Sequence, residues 1–519
     1  MRRFFKSKTF WVAIVCVAAI AAIVVYGKIS GTKNYADKYK DLDFDALIAE
    51  SRSDTYNAYF NQHEKNGAGY PKNSVEIPLT AASIVGASEG SGVFETVEGE
   101  SVLVTIEDGY TDIKTNVPEA GFYYIKLRYY PDQNPERSRG TEIEFAVSLK
   151  DPKDGEMKPP FNGADAISLP RVWHDANEPR KDNQGNEIRP IQVESPRWEE
   201  AFVCDELGYI TTPYCFYFEK GEQVIRLSST QETLMLGSFT LETVTTPPKY
   251  ADYLAAQTAS AADSGWKSKI QGEHATARSS QALSSTYDRS SAGTEPYNVK
   301  KQVINMGGGN NWKVAGQWIE YEVTADEDGL YEIALKTRQN YTRGFVSCRS
   351  LYINGEIPFE EVATIKFDFD NDWQLAKLSD ADGNPYLFHL NKGVNRIRLQ
   401  VTLGRIGEIL TEMTDSVYRM NQMYRRIMVY TGTEPDTDRD YNIDVKYPDI
   451  IAGMETEYKV LYHIIDELVE YTGESGTQVS SLLTLATQLE RFVDDPYKIP
   501  SGLATFKMNV SSLGTSIRT

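Results

Sequence analysis

The side chains best suited to chemistry form few of the spacings that chemistry requires. Gly86-Ala87-Ser88-Glu89-Gly90 fits G-x-S-x-G, the pattern that lifts a nucleophilic serine on a sharp strand-to-helix turn. The residues that follow, SGVFETVEG, start a helix poorly, so the segment reads as a turn. The five histidines, His63, His174, His274, His389 and His463, show no H-E-x-x-H and no Cys/His metal spacing. DFDND places Asp368, Asp370 and Asp372 like the start of a calcium loop. It lacks the glycine at position six and the glutamate at position twelve, which leaves a solvated acidic turn. GGGNN, residues 307–311, precedes a strand rather than a helix and makes no phosphate cradle. Glycoside hydrolysis needs two opposed carboxylates; among 74 Asp and Glu, sequence neither singles out such a pair nor excludes one. The reading is a protein without a catalytic centre, and a polysaccharide hydrolase ranks last among the alternatives.

The elements that would carry any site recur. VPEAGFYYIKLRYYP (117–131) matches ADEDGLYEIALKTRQ (325–339), with Gly121 on Gly329, Tyr123 on Tyr331, Ile125 on Ile333 and Leu127 on Leu335. The spacing of two is that of a strand with one buried face. FNGA (161–164) matches INGE (353–356), and FYFEKGEQVIRLSS (216–229) matches FHLNKGVNRIRLQV (388–401). Three blocks in one order predict a duplicated domain. Many short strands between turn signals predict β-sandwiches. The fold class is therefore mainly β: sandwiches at residues 75–245 and 269–432, helical linkers at 31–74 and 246–268, and a helical tail at 433–519. The tail carries stripes at Ile450, Met454, Leu461, Ile464, Ile465 and Leu468, and at Val479, Leu482, Leu483, Ala486, Leu489 and Val493, which predict a hairpin or small bundle. Leu410, Met413, Val417 and Met420 predict a helix at 406–425 before a last strand of the second sandwich.

The second copy resembles the jelly-roll, galactose-binding-like carbohydrate-binding modules of families six and thirty-five. IQGEHA, GQWIEYEV, GLYEIALKTR, INGE and NKGVNRIRLQV carry the resemblance. It implies non-catalytic binding of a polysaccharide or oligosaccharide through aromatic rings on loops. A flat ring covers the C–H face of a pyranose while amides bond its hydroxyls. The residues it points to are Trp373 and Trp312, with Asn310 and Asn311 beside the latter. Trp173 and Trp198, in a long polar excursion of the first copy, are further candidates, more suited to packing. Trp318 reads as core. The resemblance also implies a possible structural calcium held by Glu273; no other cofactor is required. The region from YRRIMVYTG onward, with its helical pair and FKMNVSSLGT, resembles the N-terminal half of large extracellular solute-binding proteins of Gram-positive sugar ABC transporters. That implies an ABC permease as partner.

The ends and the charge set the surroundings. Arg2, Arg3, Lys6 and Lys8 precede an uncharged run, Thr9–Tyr26, long enough for a bilayer. Residues 1–30 are expected to be an N-terminal transmembrane anchor, with a cleaved secretory signal as the alternative, and the bulk of the chain extracytoplasmic, at a Gram-positive cell surface. A net charge of -20 argues against nucleic acid and anionic membrane surfaces as partners. The 32 tyrosines suit strands and polar ligand surfaces alike. Cys204 and Cys215 flank a stretch that could form a hairpin, leaving a disulfide and two free thiols both open. The rival to sugar binding is a docking role, in which sandwiches and tail contact other proteins.

Overall fold

The computed structural model describes residues 54–257, 266–341, 343–473 and 477–518. The expected membrane anchor, residues 1–30, lies outside them. Among the described residues, no helix is long and apolar enough to cross a membrane. Residues 54–415 with 471–473 form one compact unit, and 416–470 with 477–518 another.

The first unit holds both sandwiches. In the first sandwich, strand Gly121–Tyr129 pairs with Leu234–Thr243 on one edge. Its other edge carries Glu199–Phe202 and then Cys215–Phe218, laid end to end. The facing sheet centres on Tyr110–Val117, between Ile84–Ala87 and Gly221–Gln231. Along Tyr110–Val117, Thr111, Ile113, Thr115 and Val117 are buried in turn, the two-residue alternation of a half-buried strand. Ile113, Val117, Ile125, Phe145, Phe216 and Phe239 form the core between the layers.

The second sandwich repeats this plan with gaps. Trp318–Ala325 lies between Ala277–Arg278 and Gly393–Thr402, which continues into Ser347–Ile353 and Ile365–Phe367. The opposite layer is two separate ribbons, Gly329–Glu332 with Leu387–Leu390 and Ala334–Thr337 with Gln374–Lys377. Tyr331, Leu351, Phe359, Phe388 and Leu390 fill the core.

The first and third matched blocks occupy the same register in both copies. Tyr123 lies opposite Phe216 and Tyr331 opposite Phe388; Val117 lies opposite Gly221 and Ala325 opposite Gly393. The second block does not. Asn354-Gly355 turns a hairpin, with Ile353 N–H donating to the Glu356 carbonyl. Its counterpart in the first copy is the turn in which Asp151 N–H donates to the Glu156 carbonyl. Phe161 corresponds instead to Phe359, each following a proline.

The repeated unit also begins earlier than the strands. Helix Tyr56–Lys65 precedes the first sandwich and helix Tyr250–Ala256 the second. Spacing of three puts both tyrosines of each helix on one face. Tyr56 and Tyr59 hydroxyls accept the N–H groups of Cys215 and Tyr217 at 3.0 and 2.8 Å. Tyr250 and Tyr253 accept those of Leu387 and His389 at 3.0 and 2.8 Å. The tyrosines of each pair lie about one ring's distance from a shared phenylalanine, 5.0 Å from Phe161 in the first copy and 4.9 and 5.0 Å from Phe359 in the second. These segments are structural parts of the repeat, docked on sheet edges whose N–H groups they satisfy.

Two further expectations change. Cys204 and Cys215 do not flank a hairpin. The strands before and after them share one partner, and residues 203–214 loop out, closed by Tyr214 N–H on the Val203 carbonyl. Asp205 organises the loop, accepting from Tyr209 N–H at 2.7 Å and Tyr214 hydroxyl at 3.0 Å. Both cysteines are free, Cys204 exposed and Cys215 buried. Gly208, at φ +69°, lets this loop approach Ala315 of the second copy where a Cβ would overlap it. The expected last strand of the second sandwich is instead helix: Arg405–Thr431 runs through YRRIMVYT. Ile427 is buried on the same helical stripe as Met420, so the pattern favours continuing the helix, and Gly432 at φ +86° ends it.

In the helical unit, Pro448–Thr472, Thr477–Asp494 and Ile499–Arg518 follow. Ile450, Met454, Leu461 and Ile464 are buried as their spacing predicts. So are Leu482, Ala486 and Leu489, whereas Leu483 is exposed and Leu485 and Phe492 take the buried stripe. Arg419 forks onto the buried Glu457.

Candidate functional site

The polar excursion of the first copy is an arm. Trp173–Asp175 pairs with Gln192–Glu194, and Arg180–Lys181 with Glu187–Ile188, so the chain goes out and returns as a β-ribbon. The arm joins the second sandwich's sheet, Trp173 pairing with Arg278. The Arg278 guanidinium is buried and donates to Asp175 at 3.0 Å and to Ser285 at 2.8 Å. Further along, Glu187 N–H donates to the Gln302 carbonyl, and Glu187 carboxylate accepts Ile304 N–H at 2.8 Å. Behind the arm, Arg197 and Arg398 converge on Glu199 and Glu320. Burial works against the charge on Glu320, but Arg398 and Arg197 hold its carboxyl below the ordinary range.

The arm helps to form a cavity of about 380 Å³, within the roughly 300–1,000 Å³ of small-molecule sites. Ser284, Thr286 and Tyr287 line one side, Met306, Gly308, Asn310 and Asn311 another, with Tyr341 and Arg189 completing it. Thr286 and Met306 are tied by backbone hydrogen bonds, and a short 3-10 turn, Gly309–Asn311, presents the two asparagines. The Asn311 amide donates to the Ala282 carbonyl at 3.0 Å. Tyr287 is 39% exposed and Tyr341 64%. The site thus offers two accessible rings with amide and hydroxyl groups beside them.

Of the residues singled out in the sequence, Asn310 and Asn311 line this cavity. Trp312 does not. Its indole N–H donates to the Gln317 carbonyl at 3.3 Å, and the Arg349 guanidinium lies 4.4 Å from its ring centre. Burial pushes Arg349 down to about 10, still cationic. Trp373 lies apart too, its N–H donated to Asp288 at 2.6 Å and Arg338 5.2 Å from its ring centre. Trp173 is buried in the arm. Trp198 packs beneath Arg128, 3.9 Å away, and against Tyr130. Trp173 is thus largely out of reach of solvent, and the Arg128 guanidinium lies over the Trp198 ring. Tyr287, Tyr341 and Arg189 were missed, and the signal that could have found the rings was tyrosine within polar loops, STYDR and QNYTR.

Glu273 is buried, and its Oε2 has no hydrogen-bond partner among the described residues. Burial pushes its carboxyl above the ordinary range, and Glu187 on the arm pushes the same way. An orphaned carboxylate oxygen fits a hard cation, which Glu273 would ligate while fixing the opening segment. Among the described residues Glu273 belongs to no cluster of three or more acidic, His or Cys ligands. In DFDND, Asp370 carboxylate accepts the Asp372 N–H and the Gln374 amide, and Asp370 N–H donates to the Gln339 carbonyl. Ser88 accepts the Tyr110 N–H at 2.9 Å, and strand rather than helix follows it.

Residues 408–518 match the family model described as the bacterial solute-binding protein, 4-helix bundle domain. The long helix after the second sandwich is thus the first of the bundle, which begins earlier than the tail boundary at residue 433. Among solved structures, the chain is similar to a family 35 carbohydrate-binding module from Clostridium thermocellum, at 15% identity and TM-score 0.19, over 33% of this chain and 99% of that one. It is similar to the C-terminal family 6 module of the laminarinase LamC from Zobellia galactanivorans, at 11% identity and TM-score 0.18, over 33% and 99%. It is also similar to a tandem pair of family 22 modules from Paenibacillus barcinonensis Xyn10C, at 11% and TM-score 0.14, over 61% and 90%. No curated protein matches the chain.

Proposed function

We propose that this protein is a membrane-tethered, extracytoplasmic, non-catalytic carbohydrate-binding component of a sugar-import system, with an ABC permease as its partner. Its saccharide sits in the cavity of the second sandwich. The observation that carries this reading is the grouping of two accessible tyrosine rings with Asn310, Ser284 and Thr286 in one open cavity. A pyranose presents an apolar C–H face for a ring and a rim of hydroxyls for amides and hydroxyls. The solute-binding-protein bundle at residues 408–518 supports the transport context.

The test is a glycan array followed by titration calorimetry on the best ligand. Tyr287→Ala and Tyr341→Ala should each weaken binding by roughly threefold to tenfold, the equivalent of about 0.5–1.5 kcal/mol per ring. Affinity unchanged in both variants would remove the cavity as the site.

A further inference from the structure

We infer that the saccharide taken by this cavity is anionic, and that the first sandwich reads its charge by placing Arg189 in a site otherwise built from the second. The inference rests on the reading of the cavity as a carbohydrate site. Among the lining residues, Arg189 carries the only full charge, and no carboxylate lines the space. Its Nη2 donates to Thr286 Oγ1 at 2.6 Å, and among the described residues it forms no ion pair. In the first sandwich, Arg128 is matched to Glu100, Arg137 to Glu95 and Arg226 to Asp112. Arg189 faces a cavity instead.

Its position is fixed from both sides along the chain. Three residues before it, Asn186 carboxamide accepts the Gln302 N–H at 2.9 Å, and Glu187 is bonded to the same strip of the second sandwich. Three residues after it, Gln192 begins the strand whose ribbon partner holds Asp175 against Arg278. A guanidinium carried on so anchored a ribbon is preorganised, and its planar fork matches a carboxylate or phosphate with two parallel N–H bonds. The chain as a whole has a net charge of -20, so its general field repels anions. A single positive group inside the cavity therefore acts by local recognition of an oxyanion on the sugar. The neighbouring rings and amides bind the rest of it.

The experiment is calorimetry on the full-length protein with digalacturonate, its neutral counterpart digalactose, and galactose 6-phosphate. Wild type should bind at least one of the two charged ligands about tenfold or more tightly than digalactose, the scale of one charge-assisted pair. Arg189→Gln should abolish that difference, weakening the charged ligand about tenfold more than it weakens digalactose; Arg189→Lys should restore part of the preference. A preference for digalacturonate identifies a carboxylate as the source of charge, and one for galactose 6-phosphate a phosphate. Equal binding of neutral and charged ligands, or an Arg189→Gln protein that keeps the preference, overturns the inference while the cavity stands as a sugar site. Binding of none of the three, by protein whose melting curve shows it folded, overturns both.

Discussion

The two sandwiches share their framework and differ where ligand could be met. Both dock a helix by two tyrosine hydroxyls, and both centre those rings on a phenylalanine. The first then closes itself with strand Leu234–Thr243, while the second leaves its chain as a helix. The first also buries its central arginine: Arg171 donates to Thr141, Asp132, Glu194, Ser138 and Glu232, with Glu232 0% exposed. In the second, residues 266–317 are mostly irregular, and the cavity lies among them. Duplication kept the contacts that hold the fold and released the loops. The copy with the more regular sheets sends an arm to the copy with the more open loops.

The sharpest way to break this comparison is to remove the buried arginine of each copy. Arg171→Met leaves Glu232 without its cation and should cost about 3–5 kcal/mol. Arg278→Met should cost less, because its partner Asp175 is 24% exposed and can be hydrated. Urea denaturation read by tyrosine fluorescence would compare them, and equal losses would contradict the contrast drawn here. A smaller effect tests the likeness instead. Tyr59→Phe and Tyr253→Phe each strip the acceptor from a strand N–H, with an expected cost of about 1–3 kcal/mol. Losses of similar size in the two variants support one repeated device, and a loss in only one would deny it. The smallest effect is on pH. The Glu320 carboxyl is held below its ordinary value of 4.5 when folded. Its contribution is therefore complete above that pH and is lost as pH falls through the lower folded value. Acid should loosen the junction between the copies, and Glu320→Gln should flatten the dependence below pH 4.5, seen as melting temperature against pH.

Legibility followed the range of the interactions. The blocks around Gly121 and Gly329 were readable because alternation and turn residues are local signals. The match of FNGA to INGE misled, since Asn-Gly marks a turn without saying which turn of the sandwich it makes. Helices were placed well where stripes were long, as at Ile450–Leu468, and extended wrongly into a strand at YRRIMVYT, where β-branched residues sat on a helical stripe. Asn310 and Asn311 share one glycine-rich loop in the sequence, and both line the cavity. The resemblance points to Trp312 and Trp373, yet the structure gives their indole N–H groups to Gln317 and Asp288.

Sequence by itself determined the sandwiches, their duplication and the apolar stripes of the bundle, because strand and helix periods are written in neighbouring residues. Only the tertiary structure decided that the polar excursion is an arm, and that its Arg189 meets Thr286, 97 residues away. No period links residues so far apart. Their meeting depends on which sheet edge the arm completes, and that is settled by the combined hydrogen bonding and burial of the folded pair.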